Sequence, residues 1–442
     1  MKNKNRNIFI IVIFVIAFTK PIYSQISLSG DIIHESRVLI DKGLRENYHS
    51  GDFIKAFSRL QLEFDRNDEE NFSLHGEIWT TENHLTSHND DVDTEDGQID
   101  SVVLLREAYV KGQLGNFEFN IGKMILNWGR ADYINPVDVI NPEDFSEFYT
   151  VEKMDIKMSI LLFNGRYFCH NLTLETVWIP FFENSIIPTS GPWVPREICK
   201  IDQVMSTLPF DYDISFDSKL NEKHLNIDKS EIAFRISGVS SYVDFGLLYF
   251  SGYNDQGGLA LELSGGDTNQ VIFSPVYHRF NGYGLDFGFM LNGYGLRGEF
   301  FYRDEVPHPS LSEQGMLYNK ITSDFQSIVG IDKFYGDNFY INCQYIYKVI
   351  NNYSPEMVSE EDEYIITLLI ENKFYYEQLK IASKIFYGIE RSDAVLNPFC
   401  EYLVTDNLKT ECGAYIFAGS RKAFFGQYDL NDHVYLRMNY SF

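Results

Sequence analysis

Apolar and polar residues alternate along most of this chain, and the last segment shows the pattern clearly. Its even positions from Val434 to Phe442 are apolar, while its odd positions from His433 to Ser441 are mostly polar. Side chains point alternately to the two faces of a strand, so one face of this segment is apolar and the other polar. Read alone, the segment fits either a lipid-facing strand of a transmembrane barrel or a strand of a soluble sandwich.

Eighteen segments in all show this alternation. Single-chain barrels usually have an even number of strands, so we predict about 14 to 18 strands, prefer a count near 16 and interpret two candidates as interior hairpins. A tight turn is predicted at Asn164-Gly165. The candidate strands are 26–37, 53–64, 72–80, 102–111, 117–126, 158–163, 168–178, 230–239, 242–251, 282–291, 294–303, 324–334, 339–349, 364–374, 379–388, 394–404, 408–419 and the terminal segment.

Short turns alternate with long polar connections, such as 304–323, 351–363 and 421–432. Transmembrane barrels show this asymmetry between tight periplasmic turns and long external loops. A soluble propeller or sandwich would show an internal repeat or domain-like breaks, and the sequence has neither. The predicted fold class is therefore all-β: a transmembrane antiparallel β-barrel of about 14 to 18 strands with a long internal or capping loop.

The N-terminal residues predict export. Basic residues precede an apolar run over 8–18, and the small residue Ser24 follows it. The run is shorter than the roughly 20 residues that a membrane-spanning helix needs, which favours a signal peptide over an anchor helix. We predict a signal peptide over 1–24 and a single barrel domain over 25–442, located in the bacterial cell outer membrane. The expected partners are outer-membrane lipid and the barrel-assembly machinery, whose recognition signal the C-terminal Phe442 resembles.

Composition and charge narrow the classes of partner. The chain is 44% hydrophobic and 16% aromatic, yet its mean hydropathy is -0.21, as expected when strand positions face lipid and water by turns. A formal net charge of -26 argues against nucleic acid as a partner, because both would be strongly negative. Acidic runs at 89–96 and 359–363 are expected to be solvated loops, and neither has the spacing of a dedicated calcium loop.

Candidate chemistry is sparse. The sequence has no metal-ligand spacing, so no metal or cofactor is expected. It has no nucleophile elbow, zinc-protease motif or phosphate-binding loop, so no catalytic residues are assigned and the protein is not expected to be an enzyme. Cys400 and Cys412 are predicted on neighbouring strands, either bridged or as inert thiols. The five cysteines, an odd number, are Cys169, Cys199, Cys343, Cys400 and Cys412.

One region carries distinctive motifs. An Arg-Glu-Ala-Tyr strand occurs within 105–110, a Gly-Lys-x-x-x-x-Trp-Gly-x-x-Asp hairpin within 122–132, and an Asn-Pro-x-Asp loop at 135–138. Together they resemble a family of poorly characterised porin-like outer-membrane proteins. The resemblance runs from about Leu105 to Arg303 and implies a porin-like barrel. Some members accompany lipid-exporting inner-membrane pumps, so an inner-membrane lipid exporter is a further expected partner. This sequence departs from the pattern at Lys123-Met124, where Arg-Gln is expected.

These motifs contain the candidate site. Asn-Pro pairs favour extended or turn geometry, so the loop after Trp128 is expected to fold into the lumen. Its charges would form a constriction opposed by Arg106, Lys123 and Lys153 of the barrel wall. Alternatively, Arg106, Glu107 and Arg130 pair with one another and only hold the loop. The candidate lumen and constriction residues are Arg106, Glu107, Lys123, Trp128, Arg130, Asp132, Asn135 and Asp138.

The stretch 181–229 shows no clear strand period and contains several prolines. Such long irregular segments are usually functional, so a plug or cap is predicted, with a mobile surface loop as the alternative. The predicted function is a porin-like channel or conduit for small solutes, or for amphiphiles and lipids. The alternative is a non-transporting barrel that anchors an envelope complex or binds external glycans through its loops.

Overall fold

A computed structural model of the chain describes residues 25–40, 50–68, 72–84, 101–150, 153–188, 192–195, 213–216, 226–264, 270–311 and 317–442. The predicted signal peptide, the acidic run 89–96, Cys199 and most of 189–225 lie outside these ranges. No helix within them has the length and apolar character to cross a membrane.

The described structure is almost entirely β-sheet, with one short α-helix, α1 (Lys153–Ile156), and three single-turn 3₁₀ helices, Phe148–Thr150, Ile227–Lys229 and Gly426–Tyr428. The strands are β1 (Gln25–Leu39), β2 (Phe53–Asp68), β3 (Phe72–Asn83), β4 (Ser101–Leu114), β5 (Phe117–Met124), β6 (Ile160–Cys169), β7 (Leu172–Ile179), β8 (Asp213–Phe216), β9 (Glu231–Gly238), β10 (Asp244–Tyr253), β11 (Gly258–Ser264), β12 (Gln270–Val276), β13 (Arg279–Leu291), β14 (Tyr294–Leu311), β15 (Leu317–Tyr335), β16 (Phe339–Ile350), β17 (Asp362–Phe374), β18 (Leu379–Gly388), β19 (Asp393–Thr405), β20 (Leu408–Ala418) and β21 (His433–Ser441).

Eighteen of these strands form one closed antiparallel barrel in which neighbours along the chain pair with each other. The last strand closes on the first: β21 pairs with β1 as well as with β20, and the backbone N–H of Gly30 donates to the carbonyl of Phe442 at 3.1 Å. Closure satisfies every edge, which a barrel in lipid requires. The predicted all-β antiparallel barrel is confirmed.

Eighteen strands fall within the predicted range of 14 to 18. The preference for about 16 and the interpretation of two candidates as interior hairpins were wrong, since each of the eighteen predicted segments overlaps a barrel strand. The structure instead has a separate sheet, in which β12 pairs with β11 and, in parallel, with β8. Strands β11 and β12 belong to the connection between β10 and β13. Strand β8 belongs to the predicted plug or cap stretch 181–229.

The two rims of the barrel differ. One end of the barrel carries both of its termini and tight connections such as 115–116 and 292–293, and we call this end the short-turn rim. The opposite end, the long-loop rim, carries the longer connections. The turn predicted at Asn164-Gly165 was wrong, because β6 continues to Cys169 and turns at His170, which has φ 55°.

Asn164 shows why that strand continues. Its side chain is buried on the lumen face, where it donates to Glu175 at 2.6 Å and accepts from Asn120 at 3.2 Å. These partners lie on the neighbouring strands β7 and β5. Asparagine and glycine therefore occupy the middle of a strand here, because cross-strand hydrogen bonds satisfy the amide.

The two faces of the barrel follow the predicted alternation. On β21, the outward side chains Val434, Leu436 and Met438 remain 39–41% exposed, as expected for groups that face lipid. Charged groups of the lumen face, such as Asp286 and Glu299, are fully buried. Cys400 and Cys412 lie opposite each other in register, as the predicted neighbouring strands require, and both are free thiols.

Candidate lumen constriction

The connection between β5 and β6 leaves the wall and crosses the barrel interior. We call residues 125–159 the inward loop. The side chain of Asn141 accepts from the backbone N–H of Leu126 at 2.8 Å. The same side chain donates to the carbonyl oxygens of Met124 at 3.1 Å and Met158 at 2.9 Å. Asn141 therefore joins the first and last residues of the loop.

The near wall consists of β4, β5 and β6, and β4 contains a β-bulge. The register between β3 and β4 shifts between Glu77 and Ile78, so that Arg106 is an extra residue in β4. A bulge changes the direction in which side chains point, and here the consecutive residues Arg106 and Glu107 both form hydrogen bonds with the inward loop. Glu107 Oε1 accepts from the backbone N–H of Ile125 at 2.5 Å.

Arg106 holds the returning end of the loop. Its guanidinium donates to the carbonyl oxygen of Met154 at 2.5 Å and to that of Lys157. The same group lies 4.4 Å from the ring centre of Trp79, a cation–π contact. Arg106 is only 5% exposed. The near wall thus binds the loop through buried hydrogen bonds to backbone atoms.

The loop then reaches the far wall, which consists of β13 to β16. Arg130 Nε donates to Asp286 at 2.9 Å. Glu299 Oε1 accepts from the backbone N–H groups of Arg130 and Ala131, the latter at 2.6 Å. Gly129, with φ +89°, precedes them, and a Cβ there would lie 2.5 Å from Glu299 Oε1. A glycine is therefore needed for this close approach.

Asp132 makes the second far-wall contact. Its carboxylate accepts from Arg297 Nη1 at 3.1 Å, from Asn342 at 2.9 Å and from Gln344 at 2.5 Å. Arg297 also pairs with Asp332. The side chain of Asp132 is 36% exposed and that of Arg297 21%. The Asp132 contacts are therefore an ion pair and amide hydrogen bonds that remain partly open to the lumen, unlike the buried contacts of Asp286 and Glu299.

A third attachment joins the loop to β1 and β2. Glu147 accepts from Lys55 Nζ at 2.5 Å and lies 3.3 Å from Arg37 Nη2. Arg37 also donates to the hydroxyl of Thr150 at 2.7 Å. Burial alone would raise the pKa of Glu147, but Lys55 and Arg37 outweigh it and lower that pKa. The loop is thus held on three sides of the barrel.

The tip of the loop is held by its own charges. Asp138 accepts from the backbone N–H of Trp128 at 3.2 Å and pairs with Lys157 at 2.5 Å and Lys153 at 3.5 Å. The Asn135 amide donates to the Trp128 carbonyl at 3.5 Å. Burial lowers the pKa of Lys157, while Asp138 opposes the shift. Trp128 is only 2% exposed and packs in the apolar core rather than at a membrane interface.

Several predicted roles need correction. Lys123 pairs in register with Leu161, which is 43% exposed on the outward face, and donates to the carbonyl of Leu105 at 2.5 Å. The alternation therefore places Lys123 outward, not in the lumen wall. Lys153 belongs to α1 of the inward loop and not to the barrel wall. Arg106 binds backbone carbonyls and Arg130 binds Asp286, so these cations hold the loop, but through partners other than those predicted.

An aromatic cluster covers the loop toward the long-loop rim. Phe148 lies 4.4 Å from Tyr428, 6.3 Å from Trp193 and 6.4 Å from Phe425, between ring centres. Trp193 belongs to the predicted plug or cap stretch, and Phe425 and Tyr428 to the connection before β21. Sequence reasoning missed the contribution of the connection before β21 to this cluster. The Phe-Phe pair at Phe424 was an apolar signal in that connection, which was taken as polar.

Connected cavities remain beside the inward loop. An outer cavity of about 390 Å³ is lined by aromatic residues of the cluster and by charged wall residues. An inner cavity of about 280 Å³ is lined by loop residues 133–143. Both cavities share Arg303, Lys348 and Glu363, so they adjoin. A further space of about 650 Å³, lined by Arg130 and Arg297, opens near the short-turn rim.

One acidic group of the inner cavity is perturbed. Burial, and then the nearby Asp255 carboxylate, raise the pKa of Glu143 to about 7, although Lys157 opposes the shift. Glu143 therefore changes charge near neutral pH. Sequence reasoning did not single out Glu143, because its burial depends on the packing of distant segments.

Fold and site together define a porin-like β-barrel of the type found in bacterial outer membranes. The chain belongs to the family described as "Protein of unknown function (DUF1302)", which matches residues 27–376. No curated protein matches the chain in sequence. The predicted porin-like barrel is supported by the fold, while the specific motif resemblance and the lipid-pump association stay predictions.

Solved structures show the same fold. OccAB3 of Acinetobacter baumannii has a TM-score of 0.53 at 10% identity, over 95% of this chain and 99% of that chain. OmpF of Salmonella typhi, in complex with daunomycin, has a TM-score of 0.45 at 8% identity over 95% and 99%. OmpT, an outer membrane protein of Vibrio cholerae in its trimer form, has 0.46 at 10% over 95% and 100%. At these sequence identities a structural similarity shows the fold alone. The comparison with OccAB3 is the one that supports the fold here.

Proposed function

We propose that this protein is an outer-membrane channel whose passage is set by the inward loop. The observation that carries the proposal is the attachment of Arg130 and Asp132 to the far wall, across the lumen from the loop's root at Asn141. A loop held on opposite walls narrows the lumen, and the charges on it select solutes by size and charge. Arg130 and Asp132 are then the constriction residues, and Arg106, Glu107, Trp128, Asn135 and Asp138 hold the loop in place.

The lining of the outer cavity supports a cargo with both apolar and polar parts. Aromatic rings of Phe148, Trp193 and Tyr428 line it together with charged groups such as Arg303 and Glu363. Small amphiphiles match such a surface, since apolar pockets with a few polar groups bind and orient them. For a lipid cargo, an inner-membrane exporter would be the partner that supplies it at the short-turn rim, which we assign to the periplasmic side.

The test is single-channel conductance of the refolded full chain in planar bilayers. Asp132→Ala removes the acceptor for Arg297, Asn342 and Gln344, so the far-wall attachment loosens and conductance should rise. Lys373→Gln is the control, because its ion pair with Glu377 joins the end of β17 to an exposed short turn. An increase confined to Asp132→Ala supports the constriction. A wild type and a variant that both form folded, heat-modifiable barrels without conductance would contradict a passive channel and favour the anchoring or glycan-binding alternative.

The plug or cap prediction has its own measurement. Trp193 packs in the aromatic cluster, 5.4 Å from Tyr428 between ring centres, and the Asn431 amide donates to the Pro192 carbonyl at 2.7 Å. Deleting 181–229 should therefore raise conductance further by uncovering the outer cavity. Unchanged conductance of a folded deletion variant would count against a plug.

A further inference from the structure

A histidine and a row of carboxylates meet on the lumen face of β2, β3 and β4. In register, Glu63 lies opposite Glu77, and Glu77 lies opposite Glu107. The neighbouring pair Asp65 and His75 is also in register. Like charges directly opposite each other destabilise a sheet, and Arg106, which interacts electrostatically with Glu77 and Glu107, supplies one positive charge against the three glutamates of the row.

The histidine is oriented with one nitrogen toward this row. His75 Nδ1 lies 2.8 Å from Asp65 Oδ1, and a carboxylate only accepts, so Nδ1 carries the proton. His75 Nε2 then has its lone pair available in the neutral ring. This Nε2 atom is buried and, among the described residues, makes no hydrogen bond. It lies 3.7 Å from Glu107 Oε2, beyond hydrogen-bond distance.

The two carboxylates that face Nε2 are themselves held in place. Glu107 Oε1 accepts from the backbone N–H of Ile125 at 2.5 Å, and Glu77 Oε1 accepts from the indole N–H of Trp79 at 2.5 Å. Each residue thus keeps a second oxygen for the site. One ligand atom from each of His75, Glu77 and Glu107 lies within 4.8 Å of the others, and none of the three residues is exposed.

We propose that His75 Nε2, Glu77 and Glu107 bind a divalent first-row transition-metal ion, with Zn²⁺ as the reference ion. Imidazole and carboxylate are usual zinc ligands, and ligand bonds of about 2.1 Å around a tetrahedral ion place ligand atoms about 3.4 Å apart, close to the 3.7 Å between His75 Nε2 and Glu107 Oε2. Asp65 is a positioning residue that orients the imidazole, as metal-binding histidines usually require. Glu63, whose side chain is 49% exposed, borders the route from the lumen.

Such an ion would act on the root of the inward loop. Glu107 binds Ile125, the first residue of the loop, and Glu77 binds Trp79, which stacks on Arg106. Arg106 in turn binds the returning end of the loop. A metal ion would therefore brace both ends of the loop against β3 and β4. This inference concerns binding and does not depend on whether the lumen conducts.

The test is isothermal titration of Zn²⁺ into the refolded full chain after removal of metals with a chelator. We expect one ion per chain, an upward shift of the unfolding temperature with Zn²⁺, and at least tenfold weaker binding in His75→Gln. Glu107→Gln is the second variant, since its amide oxygen still accepts from Ile125 while the anionic ligand is lost. This variant should also bind Zn²⁺ at least tenfold more weakly than the wild type. It tests the metal site on its own if His75→Gln does not fold. Glu371→Gln, a lumen-facing carboxylate of β17, is the matched control and should bind as the wild type does.

Three outcomes would overturn the proposal. The first is wild-type binding no tighter than that of His75→Gln, which would make His75 a protonated cation among the acids. The second is an equal loss of binding in Glu371→Gln. The third is Ca²⁺ binding as tight as Zn²⁺ and independent of His75, because an ion that prefers oxygen ligands would then need only the acidic groups.

Discussion

The inward loop is bound at its root on the near wall and at Asp132 on the far wall by different chemistry. At the near wall, Arg106 and Asn141 bind backbone carbonyls and are about 5% and 4% exposed. At the far wall, Glu299 also makes a buried contact with the loop backbone, but Asp132 and Arg297 meet through side chains that remain partly exposed. Buried hydrogen bonds to charged or amide groups contribute more than solvated ion pairs. We infer that the near wall fixes the loop and that the far wall sets the width of the opening.

The largest expected effect breaks the near wall. Arg106→Met leaves the carbonyls of Met154 and Lys157 without their charged donor, so the free energy of unfolding should fall by about 3 kcal/mol. Urea unfolding of the refolded barrel measures it. Asp132→Asn, the far-wall counterpart, retains an acceptor and should cost less than about 1 kcal/mol. Equal losses for the two variants would remove the distinction between the walls.

A smaller loss is expected at the loop root. Asn141→Ala removes three hydrogen bonds that join both ends of the loop and should lower the free energy of unfolding by about 2 kcal/mol. Asn135→Ala is the matched control, because the Asn135 amide makes one long hydrogen bond at 3.5 Å, to the Trp128 carbonyl. If both variants were equally stable, the hydrogen bonds of Asn141 would not be what holds the two ends of the loop together.

The third effect depends on pH. Because burial raises the pKa of Glu143 to about 7 from 4.5, the folded state keeps this proton up to near-neutral pH while the unfolded chain loses it near 4.5. The contribution of Glu143 to stability is thus present below pH 4.5 and is lost as the pH rises to about 7. Relative to Glu143→Gln, the wild type should lose unfolding free energy at a rate of about 1.4 kcal/mol for each pH unit within that window. A pH-independent difference between the two would show that Glu143 ionises normally.

The smallest effect tests the solvated character of the far wall. Asp132→Asn weakens the attraction to Arg297, and salt screens that attraction when the pair is partly exposed. The conductance of wild type and variant, after correction for bulk conductivity, should therefore differ more at 0.1 M than at 1 M salt, where the Debye length falls to about 3 Å. A difference that persists unchanged at high salt would indicate a change of shape rather than of charge.

The prediction of secondary structure succeeded where a local rule applied. Strict alternation identifies each strand and its outward face, as on β21 from Val434 to Met438. The same rule fails where the strand is irregular. The bulge at Arg106 turns two consecutive residues to the inward loop, and Asn164-Gly165 sits in mid-strand because cross-strand partners satisfy the amide. Neither feature has a signature within its own segment.

The candidate site was predictable in location but not in its partners. The Asn-Pro pairs indicated a turn-rich loop after Trp128, and the structure has the inward loop there. The partners of Arg130 and Asp132 lie more than 150 residues away in sequence, at Asp286 and Arg297. The expectation of no metal rested on ligand spacing along the chain, whereas the proposed His75 site draws its ligands from adjacent strands.

The sequence by itself determined that this chain forms amphipathic strands joined by short and long connections in turn, because alternation and turn residues act locally. Tertiary structure alone decided the closure at eighteen strands, the direction of Lys123, and which charges of the inward loop meet which wall. These depend on strand register, and one residue of register moves every side chain to the opposite face. Register is set jointly by all neighbouring strands, so no single segment contains it.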